Sequence, residues 1–242
     1  MAILLKNKDA DLTATAPYLE TDLVLPAGCK YANVFQGDNA GRNLVRGALK
    51  PDVIGSPEIS ADGYITLKPK EAYINTRIQQ SEGLSAYVVC RSPKNKQTLF
   101  IMSNQGSSGP DGKSDGIGWS FSSTAISWRV TTKAGNTWNN QAFLQYDTDK
   151  VYALAARVDP APWGDQFIMN TGEIKNSALP NMTDQALKLG GDILLGSTHV
   201  DVADENRNPI DVYAVVIFDN RVSSFTQIHA FFKDVLAGIV EI

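Results

Sequence analysis

The rhythm of extended runs along this chain constrains its fold more than any other feature. Between residues 64 and 219, short stretches rich in Val, Ile, Tyr, Phe and Trp follow one another, with Gly, Asn, Asp, Ser and Pro between them. The runs are "YITLKP" (64–69), "LSAYVVCR" (84–91), "TLFIMS" (98–103), "IGWSFSS" (117–123), "AISWRVTT" (125–132), "VYALAARVD" (151–159), "GDQFIMNTGE" (164–173), "GDILLGS" (191–197) and "VYAVVIFD" (212–219). β-branched and aromatic side chains suit a pleated, half-buried surface, and the residues between them suit turns. Strands that follow one another with no helix between them predict an all-β sandwich or jelly roll, not a parallel α/β sheet. The chain has 242 residues, no internal repeat and no low-complexity tract, so one sandwich domain is expected.

The ending differs. "VYAVVIFD" is apolar on both faces, as in a strand covered by a second layer. After "NRVS", Phe225, Ile228, Phe231, Phe232 and Val235 recur every three or four residues, which predicts a helix with one apolar face. Ser224 and Gln227 have capping-box spacing and Gly238 is a natural stop. This helix is read as a lid on the sandwich and not as an active element.

Composition excludes several classes. The hydrophobic fraction of 43% with 20% charged residues fits a chain with a sizeable core. A net charge of −4 argues against a nucleic-acid partner. No apolar run is long enough for a membrane span, and the patch at the start is too short for a signal sequence. Synthesis and folding in a reducing cytoplasm are therefore expected, with Cys29 and Cys90 as free thiols and Cys90 buried in its strand.

The order "GYITLKPKEAYINT", "LSAYVVCRS", "VYALAARVD", "FIMNTGEI", "ILLGS" and "DVYAVVIFDNRVSSFTQIHAFF" resembles the concanavalin A-like lectin/glucanase sandwich in its laminin-G-like branch. Asn170, Thr171 and Gly172 stand where that branch usually has Asn-Gly. The resemblance implies a concanavalin A-like jelly-roll β-sandwich over residues 23–242, with a short C-terminal helix, behind an extended N-terminal arm of residues 1–22. That opening, "MAILLKNKDADLTATAP", is similar to the start of virion-associated proteins of tailed bacteriophages and prophages. Ile3, Leu4 and Leu5 would then anchor the arm on a neighbouring subunit by strand addition.

The fold hosts lectins, hydrolases, lyases and interaction modules, so chemistry must be read from particular residues. Glycoside cleavage needs two carboxylates flanking the scissile bond. The nearest group, Asp201, Asp204 and Glu205, lacks same-face strand spacing and reads as an acidic surface loop. With His199 and His229 as the chain's two histidines, a histidine-based triad has little material. Some laminin-G-like modules hold Ca²⁺ at the rim, and Asp111 and Asp115 in "DGKSDG" are the candidate ligands, although turn chemistry accounts for the same residues. For sugar stacking, Trp138 and Trp163 are placed in loops, with Asn139 and Asn140 beside them, whereas Trp119 and Trp128 alternate within strands and belong to the core. The expectation is a non-enzymatic phage virion protein, a head decoration or tail accessory subunit. It would be made in the bacterial host cytoplasm and assembled with other virion proteins as a homo-oligomer, most simply a trimer. A carbohydrate-binding module for cell-surface polysaccharide is the alternative, and a carbohydrate-active enzyme the second.

Overall fold

The structure, a computed structural model, describes residues 27–37, 39–81, 83–106, 116–131, 137–158, 163–178, 189–203 and 207–242. The arm at 1–22, with Ile3, Leu4 and Leu5, lies outside the described residues, as do Asp111 and Asp115.

Fifteen strands and one helix are described. They are β1 (Cys29–Val34), β2 (Asp52–Ile54), β3 (Glu58–Ile59), β4 (Ile65–Leu67), β5 (Tyr73–Gln79), β6 (Leu84–Arg91), β7 (Leu99–Ser103) and β8 (Ile117–Phe121). After these come β9 (Ile126–Thr131), β10 (Thr137–Leu144), β11 (Val151–Val158), β12 (Trp163–Ile168), β13 (Glu173–Ala178), β14 (Asp192–Leu195), β15 (Ile210–Phe218) and α1 (Thr226–Val235). They form two antiparallel, unclosed sheets. Sheet I has the order β13-β12-β11-β6-β15-β4-β3, with β1 also paired to β15; sheet II has the order β10-β9-β8-β7-β14-β5-β2. The chain is the all-β sandwich with a C-terminal helix that the strand rhythm predicts.

Alternation along the strands builds two cores. Leu84, Ala86, Val88 and Cys90 of β6 point between the sheets, while Tyr87 and Val89 point to the opposite face of sheet I. A register shift between Val212 and Ala214 lets β15 serve both sides: Val212, Val215 and Ile217 enter the inter-sheet core, and Tyr213, Ala214, Val216 and Phe218 face outward. On that outward face lie Phe225, Ile228, Phe232 and Leu236 from α1 and its flanks. The small residues Ala32, Ala153, Ala155 and Ala214 leave room for those rings, and Phe232 stacks on Tyr87 with centroids 5.3 Å apart. The lid expected from the sequence is therefore a third layer. Its first turn departs from expectation. The helix begins at Thr226 with Phe225 as its cap residue and no side-chain cap bond; Ser224 Oγ accepts the Thr226 N–H at 3.2 Å as a local turn, without the reciprocal Gln227 bond of a capping box. Gly238 follows the helix with φ +87°, as a stop residue should.

β1 pairs with β15 on one side, and its other side is closed by Asn43. The Asn43 Oδ1 accepts the N–H of Ala32 (3.2 Å) and of Val45 (3.1 Å), and its Nδ2 donates to the carbonyls of Lys30 (2.8 Å) and Leu49 (3.0 Å). A loop side chain thereby satisfies strand groups that would otherwise offer a template to another chain.

Candidate functional site

No helix or strand among the described residues is layered on the outer face of sheet II, in contrast to sheet I. Residues 53, 74, 193, 195, 102, 117, 119, 128 and 130 of this sheet pack into the inter-sheet core, so their strand neighbours face outward. Those outward positions line up across the sheet. Asp52 is opposite Asn75, Asn75 opposite Leu194, Leu194 opposite Ser103, Ser103 opposite Gly118, and Gly118 opposite Arg129. A second row runs from Phe100 to Ser120 to Ser127, and the two serine hydroxyls are 3.2 Å apart.

At the β2 end this face carries a linked polar set. The Arg77 guanidinium donates to both carboxylate oxygens of Asp52, at 2.7 and 2.6 Å. Asn75 accepts the Arg77 N–H at 2.8 Å and donates through Nδ2 to Asp192 at 3.2 Å. Arg77 holds φ +58°, a left-handed conformation that is uncommon for a residue with a side chain and that these two bonds stabilise.

A rim of loops rises beside the face and is fixed by buried amides and hydroxyls. Asn104, fully buried, donates to Gln80 Oε1 (2.9 Å) and to the Gly191 carbonyl (3.3 Å), and accepts the Ile117 N–H (2.6 Å). The Gln105 carbonyl accepts from the Thr198 hydroxyl (3.4 Å) and the His199 N–H (3.1 Å), and His199 Nε2–H donates to the Asp192 carbonyl (2.7 Å). A Cβ on Gly190 would come within 2.1 Å of the Asn104 carbonyl oxygen, so close backbone approach requires glycine there. The Gln105 side chain lies over the outer face: a Cβ on Gly118 would meet its Oε1 at 2.6 Å. No local pattern marks Gln80, Asn104, Gln105 and Thr198 as one group; "NQG" at 104–106, two amides at a strand end, is the signal the sequence carries for this rim.

The sequence-derived sugar residues are placed differently from expectation. Trp138, Asn139 and Asn140 are not in a loop but in β10, paired with Val130, Arg129 and Trp128. Trp163 opens β12, paired with Ala178. The pairing partners impose strand geometry on stretches whose Asn, Gly and Asp content reads as loop. The two tryptophans sit in different sheets, but β10 approaches β12 and β13 where the sheet edges meet, so the strands bearing them are neighbours. Trp119 and Trp128 are core residues as expected, T-shaped with centroids 5.5 Å apart. Among the described residues no three His, Cys, Asp or Glu side chains gather as a metal group. A hollow of about 690 Å³ lies beside the start of α1, lined by Ala27, residues 220–224, Thr226 and Gln227. Its arginine, Arg221, is 3.5 Å from the buried carboxylate of Asp165.

With this geometry in view, the comparisons with known proteins bear on the fold. No family model and no curated protein sequence match the chain. Solved structures do. The binding domain of botulinum neurotoxin serotype G is similar at 14% identity and a TM-score of 0.61, over 86% of this chain and 51% of that one. The serotype D ligand-binding domain, solved in complex with N-acetylneuraminic acid, gives the same figures of 14%, 0.61, 86% and 51%. A Trypanosoma rangeli sialidase mutant displaying trans-sialidase activity is similar at 11% identity and a TM-score of 0.58, over 90% of this chain and 34% of that one. What is shared is the fold. The chain spans about half the length of the toxin domains.

Proposed function

We propose that this chain is a carbohydrate-binding module of the concanavalin A-like, laminin-G-like kind, and that it holds a saccharide on the outer face of sheet II beside the loop rim. The observation that carries the reading is the row of outward positions on that face, with Asp52 and Asn75 at one end and the exposed Arg129 at the other across the buried Leu194, Ser103 and Gly118, braced by Arg77, Asp192 and the buried rim amides. Sugar hydroxyls need donors and acceptors held at fixed positions, and a sheet fixes them more firmly than a free loop does. The toxin binding domains, one of them bound to a sugar, support this reading over a purely structural role. The module acts without catalysis: on this face Asp52 is paired with Arg77, and Asp192 is bonded to Asn75. The full chain, screened against an array of bacterial and animal glycans, should bind at least one class, and Asn75→Ala should weaken that binding about tenfold by freeing Arg77 and Asp192. Absence of binding to every glycan at millimolar concentration would remove the reading.

The phage resemblance adds a setting to this proposal. The arm at 1–22 would carry the module on a virion as a symmetric oligomer, most simply a trimer, made in the host cytoplasm. Deleting residues 1–22 should release the protein from purified particles while glycan binding persists; retention at full occupancy would rule the anchor out.

A further inference from the structure

We infer that the saccharide taken by this face is acidic, and that its carboxylate lies against Arg129 beside the Gln105 amide. This rests on the carbohydrate-binding reading. Four arginines elsewhere are committed to carboxylates: Arg77 to Asp52, Arg91 to Asp149 and Asp211, and Arg157 and Arg221 to Asp165. Arg129 stands exposed at an outward position of β9 with no ion pair or hydrogen bond among the described residues. Its charge is unspent, on a chain whose net charge is −4.

The position opposite Arg129 on β8 is Gly118, whose missing side chain makes room for that of Gln105: a Cβ there would come within 2.6 Å of Gln105 Oε1. Gln105 is only 8% exposed. Its backbone N–H and carbonyl are bonded to Ser103, Thr198 and His199, but its side-chain amide has no hydrogen bond among the described residues. An exposed guanidinium without a partner therefore stands next to a nearly buried amide that has no hydrogen bond among the described residues. A guanidinium binds a carboxylate through two parallel N–H bonds, and the amide can bond the same group or a ring substituent beside it. A neutral sugar would leave the charge unused.

The test is calorimetric titration of the full chain with oligomers of N-acetylneuraminic acid, with hyaluronan oligosaccharides, and with dextran as the uncharged control. The expected result is binding of one or both acidic oligomers, weakened by added salt, with no binding of dextran. Arg129→Gln should lower that affinity by about tenfold or more, while Arg129→Lys and Gln105→Ala lose less, and circular dichroism should show all variants folded. Dextran bound as tightly as the acidic oligomers, or Arg129→Gln binding unchanged, would overturn the acidic assignment and leave the carbohydrate reading standing. Displacement of the oligomers by equimolar inorganic sulfate would also overturn it, by showing a site for anions without regard to sugar. Failure to bind any saccharide would overturn both.

Discussion

His229 shows how a single side chain ties α1 to sheet I. Its Nδ1 lies 2.9 Å from the hydroxyl of Tyr87, a residue buried in the middle of that sheet. Burial, and then the nearby charge of Lys233, push the imidazole below its ordinary value of 6.5. A histidine whose folded value is depressed adds stability that is present above its unfolded value and lost as pH falls through the folded one. Thermal unfolding should therefore show wild type losing stability below pH 6.5 relative to His229→Gln, and a pH-independent difference between the two would contradict the contact. Cys90 is fully buried and burial raises its thiol, while Cys29 is pushed up to about 12 by the same cause. Both should resist a thiol reagent at neutral pH until denaturant is added, and rapid labelling of Cys90 in the native protein would contradict the packing. Asn43 makes four bonds that close the β1 edge. Replacing it with Ala should cost about 1–3 kcal/mol and raise the tendency to self-associate, as read by denaturant melts and light scattering.

Elements differ in how much of them the sequence discloses. β6 from Ala86 to Cys90 and β15 from Val212 to Phe218 are apolar on both faces, and that pattern alone implies layers on both sides; the structure supplies sheet II on one side and α1 on the other. The terminal helix is equally plain, because Phe225, Ile228 and Phe232 repeat at helical spacing and have the same buried face to fill. Phe232→Ala should cost roughly 3–5 kcal/mol in a denaturant melt, and a loss under 1 kcal/mol would mean that α1 is only loosely docked. β10 was not legible. "TWNNQAFL" has no clean alternation, and it becomes a strand because β9 offers it an edge to pair with. The candidate site was hidden for a related reason. Asp52, Asn75, Gly118 and Arg129 are far apart in sequence and meet only through the order of strands in sheet II, which local patterns do not encode. The rim amides Asn104 and Gln105 were visible as residues, but their role depends on Gln80, Thr198 and His199 arriving from elsewhere.

At the scale of the molecule, the two sheets have different tasks. Sheet I is covered on both faces and gives the fold its two cores, while sheet II is core on one face and bears the polar rows on the other. Substitution of the exposed Arg129 on the outer face of sheet II should therefore have little effect on folding, whereas substitution of the buried Leu194 or Ser103 on the same face should destabilise it. The order of strands also has a consequence for synthesis. β15 lies between β6 on one side and β1 and β4 on the other, although it comes last in chain order among the described strands. Until residues 210–218 emerge, β1 has no strand partner, and the β3–β4 pair is not joined to the block formed by β6, β11, β12 and β13. A fragment ending at residue 209 should be protease-sensitive over residues 27–81, whereas one that also contains β15 and α1 should be resistant there, so that one late strand locks together parts of the chain made well before it.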